Sequence, residues 1–212
     1  MKTFDSTLYF ITDSTGFTEE EFLRRVESAL QGGVTLLQLR EKKKTTREYL
    51  DLAQKVRALT ARYRVPLIID DRVDVALAVD AEGVHLGQSD MPVAMARKLI
   101  GGNKIIGATT KTVAQAKEAY QQGADYLGVG AMYPTTTKVQ TVLTTKETLD
   151  AICKSVPIPV NAIGGLNLEN MQELNGIPIS GICVVSAIMK AQNPQQAAEK
   201  MKKGAERLCK KY

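Results

Sequence analysis

Short apolar runs recur along the chain, and each breaks off into polar or charged residues. Leu8–Thr12, Val34–Leu39, Leu67–Ile69, Gly83–Leu86, Lys104–Ala108, Tyr126–Val129, Ile158–Ile163 and Gly181–Val185 all have this form. A run too short for a helix that ends abruptly in charge is the pattern of a buried parallel strand whose carboxyl end reaches solvent. Between the runs, apolar residues step at helical spacing. Thr18 and Glu21 form a capping box ahead of Phe22, Val26, Ala29 and Leu30, and Gly32 and Gly33 end that helix. Thr45 or Thr46 caps a longer helix through Leu50, Ala53, Val56 and Leu59 that ends before Pro66. A short amphipathic stretch follows Asp71, and Pro92 suits the first turn of a helix to Leu99. Further helices are predicted over Thr112–Tyr120, Lys146–Cys153 and Leu168–Leu174, with a last one from about Pro194. Eight strand–helix units in 212 residues predict an α/β fold, a single-domain (β/α)8 TIM barrel over residues 1–212. A doubly wound sheet would need fewer units, and no GxGxxG opens the first helix.

Composition narrows the chemistry. At 44% hydrophobic residues the chain can bury a full core. The net charge of +5 is spread along the chain, with small clusters at Lys42–Lys44 and in the C-terminal tail. Aromatic residues make up 5% and Trp is absent, so a base-stacking nucleic-acid surface is not expected; small anionic molecules are the expected partners. Cys153, Cys183 and Cys209 lie far apart without a CxxC, which indicates neither a disulfide framework nor a zinc site. His85 is the only histidine, which removes His-rich metal centres. No apolar run reaches membrane-spanning length and no signal-peptide core opens the chain, so no membrane partner and a cytoplasmic location are expected. Self-association stays open.

In a barrel every strand's carboxyl end faces one rim, and that rim holds the active site. Strand two delivers Gln38, Arg40, Glu41 and Lys42 there; strands three and four deliver Asp70, Asp71, His85, Gln88 and Asp90. Strand five adds Thr109, the long segment after strand six adds Thr135, Thr136, Thr137 and Lys138, and strands seven and eight add Asn161, Gly164, Gly165 and Ser186. This set lacks a nucleophile–base pair and suits a substrate with two anionic groups. Arg40 and Lys42 can grip phosphate oxygens. Asp71 and Asp90 can hold a Mg²⁺ that bridges them, since paired carboxylates with substrate phosphates are the usual magnesium shell. Gly164-Gly165 and Val185-Ser186 fall where these barrels bind phosphate. Plainer readings stand beside these: a solvated charge run at residues 40–44, loop acids at 70 and 71, an ordinary glycine turn at 164. His85 reads first as a satisfied strand histidine.

Several stretches resemble thiamine phosphate synthase: LQLREK at Leu37–Lys42, DDRVDVALA at Asp70–Ala78, GVHLGQSDMP at Gly83–Pro92, YPTTTK at Tyr133–Lys138, AIGGLN at Ala162–Asn167 and VVSAI at Val184–Ile188. The resemblance runs in order over essentially the whole chain. It implies a (β/α)8 barrel that joins hydroxymethylpyrimidine diphosphate to a thiazole phosphate, with or without a carboxylate, and releases Mg-bound pyrophosphate. It implies Gln38 against the pyrimidine, with Leu39, Glu41 and Asp70 at the same end. Arg40, Lys42, Thr109 and Lys138 would act on the diphosphate, and Asp71 and Asp90 would be the Mg²⁺ ligands. Thr135, Thr136, Thr137, Gly165, Val185 and Ser186 would receive the thiazole phosphate. Position 70 is commonly Asn in that family; Asp70 here is expected to turn towards the metal. Two alternatives remain, a thiazole tautomerase-like isomerase and a non-catalytic barrel that binds a phosphate ligand.

Overall fold

The computed structural model describes residues 3–135 and 142–209, and in them the eight predicted strands close into one parallel barrel in sequence order. The strands are β1 (Leu8–Ile11), β2 (Leu36–Leu39), β3 (Leu67–Asp70), β4 (Gly83–Leu86), β5 (Ile105–Thr110), β6 (Tyr126–Val129), β7 (Val160–Ile163) and β8 (Gly181–Val184). Closure comes from β8 pairing with β1, Tyr9 opposite Cys183. Around them lie α1 (Glu19–Gln31), α2 (Thr46–Tyr63), α3 (Val73–Ala78), α4 (Val93–Ile100), α5 (Val113–Gln121), α6 (Lys146–Ser155), α7 (Ser186–Met189) and α8 (Pro194–Leu208). Among the described residues no helix is long and apolar enough to cross a membrane.

Strand alternation divides the apolar side chains into two cores. Leu8, Phe10, Leu37, Leu39, Leu67 and Ile69 face outward and pack with the helices. Tyr9, Ile11, Leu36, Ile68, Ile105, Tyr126 and Cys183 face inward and fill the barrel. The capping box expected at α1 is only half formed: Thr18 accepts from Glu21 N, but the Glu21 carboxylate accepts from Arg25 Nε at 3.0 Å. Thr45 and Glu48 complete a reciprocal capping box at the start of α2. Asn193 caps α8 with Pro194 in its first turn. The close approach of α1 to α8 needs Gly32: a Cβ there would lie 2.7 Å from Ala198 Cβ.

Several elements differ from the sequence expectation. Strand seven begins at Val160 because Pro157 and Pro159 cannot donate to a ladder; Pro159 only accepts, from Leu127 N at 2.9 Å. The helix expected over Leu168–Leu174 is a 3₁₀ helix, Asn170–Leu174. Asn167 Oδ1 accepts from the backbone N–H groups of Glu169 and Asn170, both at 2.9 Å, and so offers the chain a turn in place of a first α-helical turn. The short α7 was not expected at all, and strand five runs on through Thr109 to Thr110.

Gly181 tests how tightly the barrel closes. A Cβ at Gly181 would overlap the Ser6 carbonyl oxygen and sit 2.6 Å from its carbon, both backbone atoms, whereas one at Gly102 meets nothing within 4 Å. Gly181→Ala is therefore expected to lower the unfolding free energy in urea by about 1–3 kcal/mol, and Gly102→Ala to leave it within about 0.5 kcal/mol. Equal effects from the two substitutions would contradict this closure.

Candidate active site

A cavity of about 530 Å³ opens at the carboxyl ends of the strands. Gln38, Arg40 and Lys42 reach it from β2 and the residues beyond, because period-two alternation sends these three to the same side. The same alternation keeps Leu39 and Glu41 out of it, contrary to the expectation for both. Leu39 is fully buried in the outer core. Glu41 turns into a neighbouring cleft with Asp13 and Lys44, where Ser14 donates to its carboxylate at 2.8 Å. Burial raises the Glu41 pKa, and the Ser14 bond works against that rise.

Asp70 ends β3, and Asp71 follows it with φ of 60°, the left-handed region that few residues other than glycine adopt. Asp71 N nevertheless donates to His85 O at 2.9 Å, which ties the turn to β4. Lys42 sits between the two acids. Its ammonium is 2.8 Å from Asp70 Oδ2 as an ion pair and bonds Asp71 Oδ2 directly. The Arg40 guanidinium lies 3.7 Å from the same Asp70 oxygen. Burial and then the Asp71 charge raise the Asp70 pKa to about 6, with Lys42 and Arg40 opposing. Burial also lifts Asp71, but hydrogen bonds with Lys42 and Asp90 outweigh it and lower its pKa. Asp90 is raised by burial and by the hydrogen bond it shares with Asp71. Asp90 is held in turn by Gly87 N, which donates to Oδ2 at 2.7 Å.

Two carboxylates in hydrogen-bonding contact require a proton or a cation between them. Asp71 and Asp90 are such a pair, and their oxygens suit Mg²⁺, which takes one or two carboxylates and completes its shell from substrate phosphates and water. Among the described residues no three acidic, histidine or cysteine side chains gather as a metal cage. Asp70 pairs with Lys42 and Arg40 and shares that Lys42 with Asp71.

Across the barrel, β7 and β8 supply Gly164, Gly165, Val185 and Ser186 to the same cavity. Gly164 and Gly165 have φ of 98° and 67°, and a Cβ on Gly165 would lie 2.6 Å from Pro134 O. Only glycine allows the segment after β6 to lie this close, where Tyr133 N donates to Gly164 O at 3.0 Å. That contact brings Thr135 to the cavity. Thr136, Thr137 and Lys138 lie outside the described residues. The first turn of α7 carries no side-chain cap.

Thr109 and His85 form the wall between the two ends. His85 Nε2 is 2.9 Å from Thr109 Oγ1, and Nδ1 is 3.0 Å from Tyr126 Oη. Gln88 and Lys111 also line the cavity; Gln88 Nε2 donates to Thr109 O at 2.6 Å. Neither Lys111 nor the buried Tyr9 and Tyr126 is among the residues that the sequence pattern marks as a site.

The profile of the thiamine monophosphate synthase family matches residues 8–188. The chain is 51% identical over 203 residues to the thiamine-phosphate synthase of Methanobrevibacter smithii, covering 96% of this chain and 97% of that one. It is 49% identical over 201 residues to the thiamine-phosphate synthase of Enterococcus faecalis, covering 95% of each. Among solved structures it superposes on a thiamine phosphate pyrophosphorylase from Pyrococcus furiosus with a TM-score of 0.86 at 42% identity, covering 95% of this chain and 96% of that one.

Burial lowers the His85 pKa to about 4, with the Lys42 charge adding to the effect and Asp71 opposing it. An unfolded imidazole titrates near 6.5, so between about pH 6.5 and 4 the unfolded chain binds a proton that the folded one does not. This contribution to stability is complete above pH 6.5 and is lost as pH falls towards 4, a change of roughly 3 kcal/mol. The single histidine makes the check direct: its ring-proton NMR resonances should hold their neutral positions from pH 8 down to 5. A midpoint near 6.5 would contradict the buried setting.

Proposed function

The chain belongs to the thiamine monophosphate synthase family and is a transferase; on that footing we propose that it joins hydroxymethylpyrimidine diphosphate to a thiazole phosphate. The supporting observation is one cavity with two anion-suited ends, Arg40 and Lys42 on one arc and Gly165, Val185 and Ser186 on the other. In this reading Gln38 faces the pyrimidine. Arg40, Lys42, Thr109 and Lys138 take the diphosphate, while Thr135, Thr136, Thr137, Gly165, Val185 and Ser186 take the thiazole phosphate.

The bond from the pyrimidine methylene to the diphosphate oxygen breaks first. The electron pair leaves with pyrophosphate, and the amino-substituted ring supports the positive charge on the methylene. The thiazole nitrogen then donates its lone pair to that carbon. Arg40 and Lys42 neutralise charge as it builds on the leaving group, which is electrostatic stabilisation, and the two ends of the cavity hold nitrogen and carbon in line. Asp71 and Asp90 would hold Mg²⁺, which when bound supplies further positive charge to the leaving oxygens. No general base is needed. His85 could serve an isomerase only by giving up a bond, since both of its nitrogens already have partners. Three free thiols fit a reducing cytoplasm.

The direct assay combines the protein, both half-molecules and Mg²⁺, and follows pyrophosphate and thiamine phosphate. EDTA should abolish turnover, Mg²⁺ should restore it, and Asp71→Ala should raise the Mg²⁺ requirement or eliminate activity. Full turnover in EDTA would remove the metal from the scheme.

The two ends should also separate in kinetics. Arg40→Ala should chiefly raise the KM for the pyrimidine diphosphate. Ser186→Ala should chiefly weaken the thiazole phosphate, by roughly 1–3 kcal/mol. A Ser186→Ala effect confined to the diphosphate would mean that the ends are reversed.

A further inference from the structure

The inward-facing polar groups of five strands form one continuous hydrogen-bonded chain across the barrel. Gln38 Nε2 donates to Tyr9 Oη at 2.6 Å, and Tyr9 Oη meets Tyr126 Oη at 2.7 Å. Tyr126 Oη then meets His85 Nδ1 at 3.0 Å, and His85 Nε2 meets Thr109 Oγ1 at 2.9 Å. The barrel is built around this chain. A Cβ on Gly107 would overlap the Tyr126 ring and lie 2.5 Å from His85 Nδ1, and one on Gly128 would lie 3.3 Å from His85 Cε1. Strands β5 and β6 thus leave out side chains where the chain passes.

With the Gln38 amide nitrogen towards Tyr9, the direction of every bond follows from this first member. An amide nitrogen only donates, and a phenol has one proton to give. Tyr9 accepts from Gln38, so its own proton goes to Tyr126, and the Tyr126 proton goes to His85 Nδ1. Both phenols stay protonated, because burial raises their pKa values well above the usual range. A neutral imidazole that accepts at Nδ1 carries its proton on Nε2, and that proton goes to Thr109 Oγ1. The Thr109 hydroxyl proton is then left for the cavity, as is the lone-pair side of Gln38 Oε1. Turning the Gln38 amide over reverses every bond, and Thr109 would then donate to His85 and offer the cavity only lone pairs.

We propose that Tyr9 and Tyr126 are positioning residues that hold His85 in its Nε2–H tautomer and thereby fix Thr109 as a hydrogen-bond donor to an anionic ligand. The chain couples the two faces it ends on. A ligand N–H accepted by Gln38 Oε1 keeps the amide in the orientation that makes Thr109 a donor. The matching ligand carries an amino group at one end and an oxyanion at the other. The kinetic part of this inference rests on the diphosphate lying at Thr109; the tautomer does not.

Because His85 is the only histidine, ¹⁵N-histidine labelling reports one imidazole. The wild-type protein should show a protonated Nε2 with resolved one-bond coupling and an unprotonated Nδ1. Gln38→Glu, recorded at a pH where its carboxylate is ionised and so only accepts, should reverse the chain and move the proton to Nδ1. Tyr126→Phe keeps the ring but breaks the chain, so the two nitrogens should move towards averaged shifts. The same variant should raise the KM for the pyrimidine diphosphate about tenfold, the size of one lost hydrogen bond, and leave the KM for the thiazole phosphate unchanged. An Nδ1–H tautomer in the wild type, or no change of tautomer in Gln38→Glu, would overturn the inference without need of either variant's activity. A correct tautomer with an unchanged diphosphate KM in Tyr126→Phe would overturn the link to Thr109. A protein inactive with both half-molecules would count against the functional reading, and the wild-type spectrum would still decide the chain's direction.

Discussion

Parallel strands in an open sheet leave two edges of unpaired backbone groups, and pairing β8 with β1 removes both. That closure is the constraint from which the site follows. All eight strands point the same way, so residues far apart in sequence finish on one rim. Arg40 and Lys42 arrive after β2, Asp71 after β3, Asp90 after β4 and Ser186 after β8, with no local sequence relation among them. Alternation then selects which neighbour enters the cavity. Gln38, Arg40 and Lys42 do; Leu39 and Glu41, one residue out of phase, cannot.

The barrel interior is also where polar groups are most costly to leave unmatched. Tyr9, Tyr126, His85, Gln38 and Thr109 satisfy one another in series, and Ser6 donates to Asn161 Oδ1 at 3.0 Å lower in the barrel. In a low-dielectric setting such bonds are stronger, and each fixes the direction of the next. Rigidity in this floor comes from connectivity as well as from packing.

The strands were legible in the sequence because each apolar run breaks sharply into charge, and the eight-unit barrel followed from their number. Local competition was less legible. Asn167 draws residues 167–170 into a turn through its own side chain, so helical spacing over Leu168–Leu174 became a 3₁₀ helix. Asp70 and Asp71 were visible as a pair, yet which of them meets which partner depends on the left-handed backbone at Asp71, and that is a tertiary outcome. The tyrosines were invisible as a site. Tyr9 and Tyr126 sit in apolar strands 117 residues apart, and only the barrel register sets their hydroxyls 2.7 Å from each other.

Asp70 gives the cationic rim a built-in competitor. The carboxylate is tethered to the same scaffold as Lys42 and Arg40, so its effective concentration at them is far above that of any free anion in solution. An anion taking up the proposed position at Lys42 and Arg40 would have to displace this intramolecular counter-ion, and its net gain would be the difference between the two pairings. A singly charged group that swaps for a carboxylate gains little. A ligand with several charges, able to engage Lys42, Arg40 and Thr109 together, gains on every contact beyond the first. On the proposed reading, the internal carboxylate would act as a threshold, setting selectivity by the number of charges a ligand brings and not by the attraction of the rim alone.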